Sequence, residues 1–258
     1  MAQPFFIVSS GRSGTAMLHK ALSVVPGVEM HHEYMVQIPQ PLAVNRTMGM
    51  VGEEACRRVI AETYGAAAHY SEATHWGDSS NKLSWLIPDL AAQLPTARFV
   101  HLVRDGRKVC SSYFHKLGAE CYDDRSTAIF QAHVDDPRLP APPPEKKYWW
   151  PVPRQGANDA ARFRGFSQFE RICWHWAALN RVVLEELTES PAAVSGLYDF
   201  LNLPYRDADF TVFRRPHNVN RPEDKLLTGE QRSSFEAIAG AMQARLGYAG
   251  KPEYLVNY

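Results

Sequence analysis

The sequence predicts an α/β fold, a three-layer α/β/α arrangement with a central parallel sheet and a helical and loop cap. Three observations predict it. Phe5-Phe6-Ile7-Val8 is a short, continuously apolar run, the pattern of a strand buried on both faces. It stops in Ser9-Ser10-Gly11-Arg12-Ser13-Gly14, and from Thr15 the apolar residues Leu18, Ala21, Leu22 and Val25 recur at helical spacing until Pro26-Gly27. Arg98 to Val103 (RFVHLV) is the clearest strand in the chain, and Asp105-Gly106 leads from it into a helix through about Lys116. Such alternation implies parallel strands joined by helical crossovers on both faces. Ligands of such sheets sit at the carboxyl ends of the strands, here in the loops after Val8, Glu29 and Val103.

The other elements follow in order. Val28 to Tyr34 (VEMHHEY) reads as a second strand running into a loop, and the stretches 53–68 and 83–94 read as helical. Pro137 to Pro153 (PRLPAPPPEKKYWWPVP) is too rich in proline for a helix or central strand. It predicts an extended linker or an ordered flap at about 135–160. Trp149 and Trp150 then either pin that flap to the body, the reading with more weight, or stack on an acceptor. Phe166 to Leu187 predicts an amphipathic helix with Phe169, Ile172, Cys173, Trp176, Asn180, Val183 and Leu187 near one stripe. Thr228 predicts the cap of a last helix, with Gln231 returning the capping-box bond and the end near Leu246-Gly247. The length of 258 residues suits one domain over 1–258.

Composition excludes several classes. Lys plus Arg and Asp plus Glu number 28 each, so the basic excess of a general nucleic-acid binder is missing, and any anion site must be local. Cys56, Cys110, Cys121 and Cys173 form no C-x-x-C pair and predict buried free thiols, and no metal-ligand spacing occurs among Cys and His. The first strand begins by about residue 4, which leaves no room for a signal peptide. No apolar stretch reaches the roughly 18 residues of a membrane span. The expectation is a soluble, cytoplasmic protein.

Chemistry concentrates at two places. Strand, glycine turn and helix start together make a cradle for phosphate: glycine lets the backbone approach, and helix N-terminal N–H groups point at the anion. The Lys-Ser or Lys-Thr that ends a nucleoside-triphosphate loop is missing, and Arg12 stands between the glycines. The second place is Arg104, at the carboxyl end of its strand, with Ser112 about two helical turns further on. A guanidinium there can form a fork of hydrogen bonds to a phosphate, and a serine hydroxyl can add another. The duller competitor is a surface ion pair between Arg104 and Asp105.

With this pairing the chain resembles the sulfotransferases that use 3′-phosphoadenosine 5′-phosphosulfate (PAPS), in their bacterial and carbohydrate branches, whose fold is P-loop-like. The resemblance implies that Gly11, Arg12, Ser13, Gly14, Thr15 and Ala16 hold the 5′-phosphosulfate, and that Arg104 and Ser112, followed by Tyr113-Phe114, hold the 3′-phosphate. A phosphosulfate carries less terminal charge than a triphosphate, so arginine and backbone amides can hold it without a metal. The resemblance also implies catalysis by Arg12 on the bridging oxygen and by a general base among His31-His32-Glu33, with Glu33 favoured and His32 the runner-up. Alternation along a strand sends one of His31 and His32 to each face, which leaves one of them structural. Arg214, Arg215 and Arg221 fall where the family closes over the nucleotide.

Looser likeness covers Trp76-Gly77-Asp78 through Pro95 to Arg104, Cys173 to Trp176 with Asn180, and Leu226 to Tyr248. Asp78, Asn81 and Lys82 are expected on the acceptor side, although the lysine is not where the usual Asp-Lys pair puts it. Relatives also carry a strand before the segment matching Leu197 to Leu201. Here either Val182 to Leu184 is that strand or it is lost, and a smaller sheet would leave an edge for a second copy, a homodimer. The implied partner is a small-molecule or glycan acceptor. Two alternatives stand beside this reading: a P-loop kinase or nucleotide hydrolase, and a non-catalytic nucleotide-binding protein.

Overall fold

The computed structural model describes residues 1–187, 194–204 and 226–253. Strand β1 (Gln3–Ser9) leads through the glycine turn into α1 (Thr15–Leu22) and β2 (Val28–His32). Then come α2 (Pro39–Thr47), α3 (Glu53–Ile60), a π-helical turn (Ala61–Gly65) and α4 (Ala66–Tyr70). Strand β3 (His75–Ser79), a 3₁₀ turn (Lys82–Trp85), α5 (Ile87–Gln93) and β4 (Arg98–Leu102) complete the first half. The second half is helical: α6 (Gly106–Leu117), α7 (Asp124–Asp135), α8 (Ala160–Phe163), α9 (Gln168–Glu186), α10 (Val194–Leu201) and α11 (Gly229–Arg245). No helix among the described residues is long and apolar enough to cross a membrane.

The chain divides into two compact units, each drawn from three segments. The first, over 1–36, 51–102 and 182–219, contains the sheet. All its strand pairs are parallel and their order is β2-β3-β1-β4. The α/β class with a parallel sheet is therefore as the sequence predicts. From β1 the chain first crosses to β2 and β3 on one side, then to β4 on the other. The order reverses at the carboxyl end of β1, where open α/β sheets bind ligands.

Both faces of β1 are covered, which is why its apolar run is unbroken. On one face Phe5 and Ile7 pack with Leu18 and Leu22 of α1 and with Leu197, Tyr198 and Leu201 of α10. On the other, Phe6 meets Tyr64 and Trp76 edge-on, with ring centroids 5.7 and 6.4 Å away. Burying such a side chain stabilises by about 1.5–3 kcal/mol. Gly77 of β3 lies under the Phe5 ring, where a Cβ would stand 2.2 Å from Cζ.

The sequence pattern does not mark β3: HWGDS shows neither alternation nor a continuous apolar run, yet it is the strand between β1 and β2. Strand β2 continues to His32, so its terminal loop starts at Glu33 rather than after Glu29. Of the two readings left open for Val182 to Leu184, strand or strand lost, the described residues have the second. These residues are helical, in the last turns of α9, and the described sheet has four strands. Val183 is buried and prolongs the apolar stripe of that helix, so the run propagates the helix instead of opening a strand.

The second unit, over 37–50, 103–181 and 220–258, has an aromatic core. Trp176 packs on Phe235 of α11 at 5.8 Å. The Thr228–Gln231 capping box that the sequence predicts starts α11. Trp149 and Trp150 are both 3% exposed, and their indole N–H groups donate to Pro143 O and Glu120 O at 2.7 and 2.6 Å. The aromatics thus pin the proline-rich segment to the body. All four cysteines are buried thiols outside disulfides.

Candidate active site

The glycine turn takes the shape that its residues dictate. Gly11, Arg12 and Gly14 have φ of 77°, 54° and 108°, the left-handed region that glycine enters without penalty. Arg12 carries a side chain there, at a cost of about 1–2 kcal/mol. Serines fix the turn from within: Gly11 N–H donates to Ser9 Oγ at 2.9 Å, and Ser13 Oγ donates to Gly11 O at 3.1 Å. Ser84 holds it from the 3₁₀ turn, accepting from Ser9 N–H and donating to Ser9 O, both at 3.1 Å.

Helix α1 then begins without a side-chain cap and without an acidic residue in its first turn. Its first-turn N–H groups and the half-exposed Arg12 make a positive helix end, where Thr15 is buried and Ala16 is exposed. Such a donor set fits an anion of one or two charges.

The carboxyl end of β2 lies on the same sheet end, one strand away across β3. Register sets His31 opposite Asp78 and His32 opposite Ser79. The two histidines diverge as strand alternation requires. His31 lies against Trp76 with centroids 5.1 Å apart and bonds Glu29 Oε1 through Nε2 at 2.8 Å, so it is the structural one. His32 faces the α1 side, its ring 5.8 Å from that of His19, and is exposed. Its Nδ1 lies 2.9 Å from both Ser79 O and Ser79 Oγ. A carbonyl only accepts, so Nδ1 carries a hydrogen, and in the neutral ring the lone pair is on Nε2. Burial and the nearby His32 hold His19 below the usual histidine range.

Glu33 stands at φ 58°, another left-handed residue with a side chain. Two bonds from β3 hold it. Its own N–H donates to Ser79 O at 3.2 Å, and the next N–H, of Tyr34, donates to Asp78 Oδ1 at 3.1 Å. Asp78 is fully buried on the face shared by Trp76, Tyr64 and Tyr34. Burial pushes its carboxyl up to about 6, the bond from Tyr34 N–H and the neighbouring His31 and His32 oppose this, and Glu33 adds to it. Its Oδ2 finds no hydrogen-bond partner among the described residues. Asn81 and Lys82, expected on the acceptor side, are buried at 6% and 4% exposure.

The second unit carries the other predicted pair. Arg104 is exposed just before α6, and Ser112 is half-buried in its second turn, between the buried Ser111 and Tyr113. Asp105 caps α6 by accepting from Arg107 N–H, and it pairs with the Arg107 guanidinium at 2.6 Å and with Gln243 at 2.8 Å. The Asp105 carboxylate, weighed from the sequence as a partner of Arg104, pairs with Arg107. Burial holds Lys108 below its ordinary range; Asp105 opposes this, and Arg104 and Arg107 add to it. Arg214, Arg215 and Arg221 lie outside the described residues.

The loop of 11–16, His32 and Glu33 therefore share one end of the sheet, and Arg104 and Ser112 share the start of α6. Sequence reasoning missed the support that Asp78 and Ser79 give to the β2 end. One signal was present: β3 ends in Ser79-Ser80 as β1 ends in Ser9-Ser10, a strand stopping in small hydroxyls. No group of three or more His, Cys, Asp or Glu among the described residues could hold a metal ion. A family model described as "Sulfotransferase family" matches residues 4–136, more than half of the chain and inclusive of both strand–turn–helix segments. No curated protein matches the chain.

Proposed function

The chain belongs to the sulfotransferase family and is a transferase of sulfo groups; on that premise we propose that it moves a sulfuryl group from PAPS to a hydroxyl or amine of a small-molecule or carbohydrate acceptor. The observation that carries the reading is the uncapped glycine turn of β1 on the same sheet end as His32 and Glu33. When bound, the donor supplies an activated S–O bond to a phosphate leaving group. The amides of 11–16 and Arg12 bind the phosphosulfate and offset charge growing on the bridging oxygen, a preorganised electrostatic effect that needs no metal. Arg104 and Ser112 bind the 3′-phosphate, and exposure of Arg104 keeps its guanidinium within reach of a ligand.

Glu33 accepts the acceptor's proton. Its left-handed backbone and the two bonds from β3 fix where its side chain starts, which a general base requires before its basicity matters. His32 is the second candidate, with Nε2 as the accepting atom. The partner is a small molecule or glycan.

Calorimetry with adenosine 3′,5′-bisphosphate against ADP, repeated on Arg104→Ala, tests the reading. The bisphosphate should bind more tightly, and the substitution should weaken it by about 1.5–3 kcal/mol, roughly 10- to 150-fold, the scale of hydrogen bonds to a charged group. Equal affinities for the two nucleotides, or indifference to the substitution, would refute it.

A further inference from the structure

Glu33 is held by two bonds of different origin. The bond from Glu33 N–H to Ser79 O continues the parallel ladder of β2 and β3, and any residue at 79 could accept it. The bond from Tyr34 N–H ends on a side chain, Asp78 Oδ1 at 3.1 Å, and only a short acceptor at 78 can make it. Asp78 has 0% exposure, on the aromatic side of the sheet, and its Oδ2 is buried without a hydrogen-bond partner among the described residues. Nothing about stability favours a carboxylate there: a buried charge is strongly disfavoured unless paired and hydrogen-bonded on both oxygens.

We propose that Asp78 is a positioning residue, which fixes the Glu33 carboxylate for proton abstraction by locking the Glu33–Tyr34 peptide in its left-handed turn. This rests on the reading of Glu33 as the base. Asp78 itself touches no reacting atom; it acts through the Tyr34 amide. The titratable groups near it are His31 on its own side of the sheet, His32 on the other side, Glu33 and Tyr34 from the loop after β2, and Tyr64 from the π-helical turn. Protonation leaves Oδ1 able to accept, but weakens that bond by removing the charge.

The probe is PAPS with water as acceptor. Water attacks sulfur, the bond from sulfur to the bridging phosphate oxygen breaks, and the water proton goes to Glu33, giving sulfate and adenosine 3′,5′-bisphosphate. Asp78→Ala should lower kcat at least tenfold, with bisphosphate affinity kept within about twofold. Asp78→Asn keeps the accepting oxygen and should restore kcat to within about threefold. A second readout is independent of turnover: the Tyr34 amide resonance should titrate with a midpoint near pH 6 in the wild type and stay flat in Asp78→Asn. A flat Tyr34 resonance in the wild type overturns the proposal, as does Asp78→Asn turnover more than threefold below wild type. Where Asp78→Ala fails to fold, Asp78→Asn and the resonance decide alone. Glu33→Gln separates the two layers. If it stops turnover while Asp78→Ala turns over normally, only the positioning role fails; if it turns over like the wild type, the base reading fails and the proposal with it.

Discussion

Replacing Asp78 by Asn should make the protein more stable, and more so as the pH rises. The carboxyl has an ordinary value of 3.8 and is raised by burial to about 6. Between those values the folded state binds more protons than the unfolded chain, so the free energy of unfolding falls as pH rises through the window. Below 3.8 both states are protonated and there is no penalty; above 6 the penalty is complete. A shift of about two units corresponds to about 3 kcal/mol, of which about 2 kcal/mol develops between pH 4.5 and pH 8. Asn does not titrate, so its advantage over Asp should grow by that amount across the range. Any fixed offset, from an amide that packs differently, cancels in the difference. Urea unfolding of both proteins at steps from pH 4.5 to 8 measures it. Parallel curves, with a gap that does not change with pH, would refute the buried-carboxylate argument.

Two further outcomes are expected. Glu33→Gln should cut turnover of PAPS by about 10²–10⁴-fold, the usual worth of general-base catalysis, while bisphosphate affinity by calorimetry stays unchanged; an unaltered rate moves the role to His32. Gly77→Ala should destabilise the fold by about 1–3 kcal/mol in urea unfolding, because the new methyl would meet the Phe5 ring at 2.2 Å inside a close-packed layer; a neutral effect would mean that β1 and β3 can separate without loss.

What was legible in the sequence is what local chemistry decides. The apolar run of β1, the glycines at positive φ, the capping box of Thr228 and Gln231, and the stripe of α9 each follow from residues within a few positions of one another. The candidate bases were legible for the same reason, since His31, His32 and Glu33 end a strand. What stayed hidden depends on residues far apart. HWGDS has a glycine and an aspartate, both poor strand formers, at its centre. It is a strand because Gly77 leaves room for Phe5, 72 positions earlier by the register that sets Phe5 opposite Gly77. The direction of Val182 to Leu184 likewise turned on packing, since β-branched residues continue a helix when their buried face is already paired with a core.

The illegible strand is also the one whose end builds the candidate site, and the two have one cause. A strand optimised for its own propensity would carry β-branched residues at 77 to 79, and local reasoning would find it. Gly77, Asp78 and Ser79 give up that propensity, and each does something a valine could not. Gly77 lets β1 and β3 approach, Ser79 Oγ anchors His32, and Asp78 takes the Tyr34 amide. Departures from local consistency are where function is expected to reside. By that argument the Asp78→Asn protein should show both halves of the exchange, a fold that is firmer at pH 8 and a Tyr34 amide that no longer responds to pH.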